Sequence, residues 1–193
     1  MKKLLIFLFA LVFSLSIMGT ANATLTGFYE GTDHFVYDSD QGITWYDYSN
    51  PANTWQNQLN WANSLHVGNT IAGSWSLPTT PAINTGYTDE GQMGYLYYHE
   101  LGNSSGNLTN VGPFTDLGGN NGGLYWTNTL AYSWEYYYNF NVGSQGITHN
   151  SGTIRALAVH EGNIQTSTPE PATMLLLGLG LMGLAGVRRK FKK

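Results

Sequence analysis

The stretch His34–Tyr46 reads HFVYDSDQGITWY and contains the clearest secondary-structure signal in the chain. His34–Tyr37 and Ile43–Tyr46 are short runs rich in β-branched and aromatic residues, which favour strands. Asp38–Gly42 lies between them and has the composition of a turn. The stretch therefore predicts a β-hairpin.

Two helices and a series of strands are predicted after this hairpin. Thr54 is placed to cap a helix that ends near Gly68, and the segment 91–102 has apolar residues at three- and four-residue steps before Gly102. Further strands are predicted at Tyr125–Trp126, Trp134–Phe140, Gly146–His149 and Thr153–His160. A strand pair followed by helices and then by more strands is typical of the α+β class.

Residues 1–23 have the three parts of a secretory signal peptide. Lys2 and Lys3 precede an apolar run, and Ala21-Asn22-Ala23 forms a small-residue cleavage site. Cleavage is expected after Ala23, and the globular domain is predicted over residues 24–161. An uncleaved membrane anchor is the alternative, and both alternatives predict export of the domain.

The segment 169–193 is predicted to sort and anchor the protein, after a linker over residues 162–168. An apolar stretch, Ala172–Val187, precedes the basic cluster of Arg188, Arg189 and Lys190. Its helical length of about 24 Å is slightly less than the ~30 Å hydrocarbon core, and the basic side chains can make up the difference. This predicts a transmembrane helix over residues 172–187. The positive-inside rule places the basic cluster in the cytoplasm and the preceding domain across the membrane.

Thr168-Pro169-Glu170-Pro171, followed by the short Gly/Leu-rich stretch and the basic cluster, resembles the PEP-CTERM sorting signal. The resemblance implies that an exosortase is a partner of the protein and removes the tail near the motif. Exosortases are membrane cysteine transpeptidase-like enzymes of bacteria that make exopolysaccharide. Pro169, Glu170 and Pro171 are then substrate residues, and a plain C-terminal anchor is the alternative.

The central domain is strongly acidic and has no cysteine. Arg155 is its one basic residue against eleven acidic residues, which gives residues 24–161 a formal charge of −10. A domain of this charge repels phosphate backbones, so a nucleic acid is not expected as a partner. The absence of Cys excludes disulfides, thiolate zinc sites and a cysteine nucleophile.

Several blocks of the central domain resemble the collagen-like-adhesin (Lcl) C-terminal domain family. The blocks are Phe35–Asp38, Gly42–Trp45, Trp75–Thr79, Tyr125–Asn128 and Ala156–Val159, and Gly91–Asn103 is similar to the form found beside PEP-CTERM tails. The resemblance implies a C-type-lectin-like fold. Ser76 stands where the family commonly has Arg, and His160 and Glu161 where it has Arg-Pro. The family's binding to sulfated glycans is therefore not expected here.

Candidate metal and catalytic residues are dispersed along the chain. Asp38, Asp40 and Asp47 resemble a calcium loop, but Gly42 replaces a ligand of the EF-hand pattern and no Glu closes the loop. Local hydrogen bonding in a turn is the preferred interpretation. Neither a metal nor a cofactor is predicted, because close ligand spacing is also missing from the five histidines, which are His34, His66, His99, His149 and His160.

Carboxylates are the candidates for catalysis, and aromatic rings are the candidates for binding. Paired carboxylates of a glycoside hydrolase would come from Asp47, Glu100 and Asp116. Aromatic residues fall on both faces of two predicted elements, so some rings are expected to be exposed and to bind uncharged sugars. Packing within the domain or against another copy is the alternative. The candidate glycan-binding residues are Tyr97, Tyr98, Trp134, Tyr136 and Tyr138.

Together, these inferences predict an α+β, C-type-lectin-like domain between a signal peptide and a transmembrane sorting helix. The protein is predicted to be a non-enzymatic binding or adhesion protein of the cell surface or extracellular matrix, associated with exopolysaccharide or a surface protein. Before processing it is expected to be anchored in the inner membrane, and afterwards to be at the cell surface or extracellular. Two alternatives stay open: a secreted hydrolase of matrix polysaccharide, and a purely structural matrix component.

Overall fold

The computed structural model describes residues 25–83, 85–118, 123–149 and 151–165. The predicted signal peptide, the sorting motif and the predicted span over residues 172–187 lie outside these ranges. Within the described ranges, no helix is long and apolar enough to cross a membrane.

The described part of the chain contains nine strands in one mixed sheet. In chain order they are β1 (Leu25–Glu30), β2 (Asp33–Asp38), β3 (Ile43–Asn53), β4 (Trp75–Ser76), β5 (Gly86–Tyr87), β6 (Leu124–Ala131), β7 (Trp134–Asn139), β8 (Ser144–Thr148) and β9 (Ile154–Glu161). The order across the sheet is β1-β2-β3-β9-β6-β7-β8-β5, and β4 also pairs with β9. These pairings are antiparallel except for that of β6 with β9, which meet in parallel at Tyr125 and Arg155.

The two helices are short. Helix α1 runs over Trp55–Ser64, and the hydroxyl of Thr54 accepts the Asn57 N–H at its start, which confirms the predicted cap. Helix α2 runs over Gly91–Tyr95 and continues as a π-helical turn over Leu96–Glu100, within the predicted segment. Helix α1 ends before the predicted Gly68 because Leu65 already has an extended backbone.

The predicted hairpin over residues 34–46 is confirmed. Strands β2 and β3 pair antiparallel, with Phe35 opposite Tyr46 and Asp38 opposite Ile43. The carboxylate of Asp38 accepts the Gln41 N–H at 2.9 Å, which closes the turn.

The predicted α+β class and C-type-lectin-like fold are wrong. The described chain is mostly strand, and two short helices pack against a single mixed sheet. Strand β1 was missed, and β3 was predicted to end at Tyr46 although it continues to Asn53. Its second half contains Asn50 and Pro51, which rarely form strands. It pairs with β9 through register shifts at Asn50, a tertiary feature that local composition does not report.

The sheet buries a hydrophobic core on each of its faces. On the α1 face, Ala62 and Leu65 pack in one core cluster, and on the α2 face Met93, Leu96 and Tyr97 pack in the other. Strand β9 contributes residues to both clusters, because its alternate side chains point to opposite faces. Leu157 and Val159 belong to the α2 face, and Ala156 and Ala158 to the α1 face. This two-sided burial explains why β9 is apolar over most of its length.

Candidate ligand-binding surface

Strands β6 and β7 are joined by a two-residue turn, Tyr132-Ser133, between the paired residues Ala131 and Trp134. Tyr132 has a φ of 57°, in the left-handed region that glycine normally occupies in such turns. Its side chain is fully exposed to solvent. A non-glycine residue in this conformation costs on the order of 1–3 kcal/mol, and observed outliers of this kind cluster at functional positions.

Trp134 stands beside the turn and is 40% exposed. Its ring centroid lies 3.9 Å from that of His149, and the two planes are inclined by 32°. Ile147 is also exposed and pairs with Tyr136, two residues along β7 from Trp134, so it lies on the same face of the sheet. The hairpin surface, as we use the term, consists of Tyr132, Trp134, Ile147 and His149.

The five residues predicted to bind glycan differ in their exposure to solvent. Tyr97, Tyr136 and Tyr138 are buried, and each hydroxyl donates a hydrogen bond to a backbone carbonyl. These three rings therefore pack the domain, which corrects their placement on an exposed surface. Tyr98 is half-buried and also donates to a backbone carbonyl. Of the five, Trp134 is the one that is exposed.

Sequence reasoning missed Tyr132 and His149. Tyr132 lies in a tight turn, and the strand predicted at Tyr125–Trp126 stopped short of Ala131, where β6 ends beside this turn. Recognising two strands separated by two residues would have placed Tyr132 at a hairpin tip. His149 was considered as a metal ligand, and its ring contact with Trp134 depends on the pairing of β7 with β8.

Two of the carboxylates considered for catalysis belong to one hydrogen-bond network, in which Asp47 is buried and Asp116 is partly exposed. Asp47 accepts hydrogen bonds from the N–H and hydroxyl of Thr115, both at 2.6 Å, and from the Asp116 N–H at 3.1 Å. The Nδ1 atom of His34 lies 2.7 Å from the same carboxylate. Asp116 pairs with Arg155, whose Nη2 lies 3.3 Å from Oδ1. These contacts hold Thr115 and Asp116 against the sheet.

Glu100 lies instead with Asp38 and Asp40. Burial raises the pKa of Glu100 from 4.5 to about 7, and the charges of Asp38 and Asp40 and a hydrogen bond to Asp40 add to this rise. Tyr95 donates to Asp40 at 2.8 Å, and this hydrogen bond raises the pKa of Tyr95. The structure thus does not bring Asp47, Asp116 and Glu100 together through shared hydrogen bonds.

Asp40 and Tyr95 also line an open groove of about 710 Å³, which we call the acidic groove. Asp89, Glu90 and His99 contribute to its walls, and His99 Nε2 lies 3.3 Å from Asp89 Oδ2. Among the described residues, no group of three or more His, Asp or Glu side chains is arranged to hold a metal ion.

The raised pKa of Glu100 predicts that stability depends on pH. Between pH 4.5 and about 7 the folded protein retains a proton that the unfolded chain has released, so the free energy of unfolding falls as pH rises through this window. Glu100→Gln should remove this part of the pH dependence and stabilise the domain above pH 7. Urea denaturation of the domain at pH 5 and pH 8 measures the effect. The exposed Glu90→Gln is the control, and equal pH dependence in the wild type and Glu100→Gln would contradict the prediction.

Comparison with known proteins identifies one segment of the chain. The family model described as the PEP-CTERM protein-sorting motif matches residues 167–190, which confirms the predicted motif. No curated protein and no solved structure matches the chain significantly. The resemblance of the central domain to the collagen-like-adhesin family is therefore not confirmed by any relative. The chain carries a PEP-CTERM sorting motif and is an exported protein that an exosortase sorts.

Proposed function

We propose that the domain is a non-enzymatic module that binds neutral polysaccharide outside the cell, and that the hairpin surface is its binding site. The observation that carries the proposal is Tyr132, an aromatic residue held fully exposed on a left-handed backbone. It adjoins Trp134, which is also exposed and rests on His149. A position that stability alone would fill with glycine holds a large ring, which favours a role in contact with a ligand.

The chemistry of the hairpin surface suits a sugar ring. Sugars have apolar C–H faces that pack on aromatic rings, and hydroxyl groups at their edges that exchange hydrogen bonds with polar side chains. Trp134 supplies a ring face, and Tyr132 and His149 combine a ring with groups that donate or accept hydrogen bonds. Contact between Trp134 and His149 limits the freedom of both rings before a ligand binds, which lowers the entropy lost on binding.

Charge favours a neutral ligand over an acidic one. The domain carries eleven acidic residues against Arg155, its single Arg or Lys. Arg155 is already paired with Asp116 and lies with its guanidinium carbon 6.0 Å from the centre of the Tyr125 ring. A polyanion would therefore meet repulsion from the domain as a whole without a free arginine or lysine to offset it.

A role without catalysis is supported by the state of two of the candidate carboxylates, Asp47 and Asp116. Asp47 accepts four contacts from neighbouring groups, and Asp116 is held by Arg155 and the Ser49 N–H. Carboxylates used in this way maintain the fold. Retaining and inverting glycosidases need two carboxyl groups free to face the scissile bond.

The test is affinity electrophoresis of the secreted domain, residues 24–168, in gels that contain neutral or acidic polysaccharides, including the exopolysaccharide of the host. We expect retardation by a neutral polymer. Trp134→Ala and Tyr132→Ala should each weaken binding by about tenfold, as expected when one aromatic anchor worth about 1.4 kcal/mol is lost.

Tyr87→Ala is the matched control, because Tyr87 is also well exposed but lies outside the hairpin surface. Its affinity should equal that of the wild type. The proposal fails if no neutral polymer retards the domain, or if Tyr87→Ala weakens binding as much as Trp134→Ala does. Release of reducing ends from the retarding polymer would instead support the hydrolase alternative.

A further inference from the structure

The six tryptophans of the chain differ in what their indole N–H groups contact. Three of them donate this group to an acceptor within the protein: Trp55, Trp75 and Trp126. Trp45 keeps its N–H inside the core cluster of the α2 face. Trp134, in the hairpin surface, and Trp61, in α1, have no acceptor for theirs in the described part of the chain. The Trp61 N–H is in contact with solvent, although its ring packs against the core of the α1 face.

Tyr48 lies beside Trp61 and is 43% exposed. The register of β3 with β9 shifts between Tyr46 and Asn50, and a bulge of this kind turns side chains away from their regular positions. The ring of Tyr48 stacks on that of Tyr46 with centroids 5.6 Å apart, and its centroid lies 6.4 Å from that of Trp61. Contacts with two rings limit the freedom of Tyr48 before any ligand binds.

Helix α1 surrounds Trp61 with amide and hydroxyl groups. Its exposed positions all carry uncharged polar residues: Gln56, Asn57, Asn60, Asn63 and Ser64. Asn57 lies four residues before Trp61 and Ser64 three residues after it, so both are on the same side of the helix. Asn57 Nδ2 donates to Asn53 Oδ1, and Ser64 Oγ donates to the Trp61 carbonyl, both at 2.8 Å. The helix surface, as we use the term, consists of Tyr48, Asn57, Trp61 and Ser64.

The helix surface and the hairpin surface are on opposite faces of the sheet. Tyr46 and Trp61 pack in the core cluster of the α1 face. Trp134 shares a face of β7 with Tyr138, which belongs to the cluster of the α2 face. In the sheet, β9 and β6 lie between β3 and β7, so these two strands are three strand spacings, or about 14 Å, apart. A sugar unit that contacts one surface therefore does not contact the other.

We infer that the helix surface is a second carbohydrate-binding site, and that the domain holds two segments of neutral polysaccharide at once, one at each surface. Tyr48 offers an exposed aromatic ring for the C–H face of a sugar, and the Trp61 N–H, the Asn57 amide and the Ser64 hydroxyl can exchange hydrogen bonds with its hydroxyl groups. The Tyr46 hydroxyl donates to Asp33 at 2.9 Å, which places a carboxylate near the stacked rings and disfavours an acidic polymer. Occupation of both surfaces rests on the proposed function, whereas the helix surface has its own evidence.

Heteronuclear NMR of the indole N–H groups of the secreted domain, residues 24–168, reports on the two surfaces separately, because each contains one tryptophan. Trp61→Phe and Trp134→Phe each remove one signal and so identify it. The probes are cellohexaose, mannohexaose and a hexasaccharide fraction of the host exopolysaccharide. We expect both signals to shift on titration with one of these probes, and the Trp61 signal to shift with unchanged affinity in Trp134→Ala. Tyr48→Ala should weaken the binding reported by the Trp61 signal about tenfold and leave that reported by the Trp134 signal unchanged.

The pattern of shifts separates the possible failures. A shift of the Trp134 signal without one of the Trp61 signal overturns the inference and leaves the proposed function standing. A shift of the Trp61 signal alone supports the helix surface as a site but contradicts the hairpin surface and the binding of two segments. If neither signal shifts, the inference and the proposed function both fail. Tyr87→Ala is the control, because Tyr87 is exposed outside both surfaces, and an equal loss in this variant and in Tyr48→Ala also overturns the inference.

Discussion

Asp47→Ala is expected to lower the free energy of unfolding by about 3–5 kcal/mol. The side chain of Asp47 is fully buried and satisfies the N–H groups of Thr115 and Asp116, the Thr115 hydroxyl and His34. Truncation removes the acceptor that these donors share. Chemical denaturation of the secreted domain measures the loss.

Two further variants identify the cause of this loss. Asp47→Asn keeps the shape and one acceptor oxygen, so its loss should lie between those of the wild type and Asp47→Ala. Asp33→Ala removes a carboxylate that accepts one hydrogen bond, from the hydroxyl of Tyr46, and it should cost about 1 kcal/mol. If Asp47→Ala lowers the free energy of unfolding by less than Asp33→Ala does, the network around Asp47 contributes little to the stability of the fold.

Gly143→Ala should destabilise the domain by about 3 kcal/mol or more, the sum of backbone strain and overpacking. Gly143 has a φ of 75°, and an added Cβ would overlap the ring of Tyr97 and lie 2.7 Å from the hydroxyl of Tyr98. Tyr97 is fully buried in the core of the α2 face, so its ring is packed on all sides by protein. Thermal unfolding of the secreted domain provides the measurement.

Gly42→Ala is the matched control for this prediction. Gly42 has a φ of 65°, but an added Cβ would meet no atom within 4 Å. The substitution should therefore show the backbone cost alone, about 1–2 kcal/mol. Equal losses in Gly42→Ala and Gly143→Ala would mean that contact with Tyr97 and Tyr98 has no energetic consequence.

Local sequence patterns predicted the elements better than they predicted the fold. The hairpin over residues 34–46 and the cap at Thr54 depend on neighbouring residues, and both are present. The relation of β9 to β3 and β6 depends on contacts between distant parts of the chain. Hydrophobic periodicity does not reveal which strands are neighbours or whether they pair in parallel, because a strand buried on both faces is apolar in many folds.

The candidate site could be predicted only in part, because it too depends on tertiary contacts. An aromatic-rich strand indicates that rings are present, but burial decides which of them a ligand can reach. Tyr136 and Tyr138 share a face of β7 with Trp134, and the core covers the first two while the end of the hairpin leaves Trp134 exposed. Tyr132 is identified by its backbone angle, which a sequence does not report.

The central position of β9 has a consequence for the order in which this protein becomes folded during export. A chain that crosses the membrane from its N-terminus delivers β1, β2 and β3 first, and their next neighbour in the sheet arrives with Ile154–Glu161. Until then the inner edge of β3 has no partner, and half-formed core clusters face solvent. By the time β9 has emerged, the sorting motif at residues 167–190 has reached the membrane. Completion of the domain and presentation of the motif to the exosortase therefore coincide. A chain stalled before β9 stays incompletely folded and exposed to proteolysis.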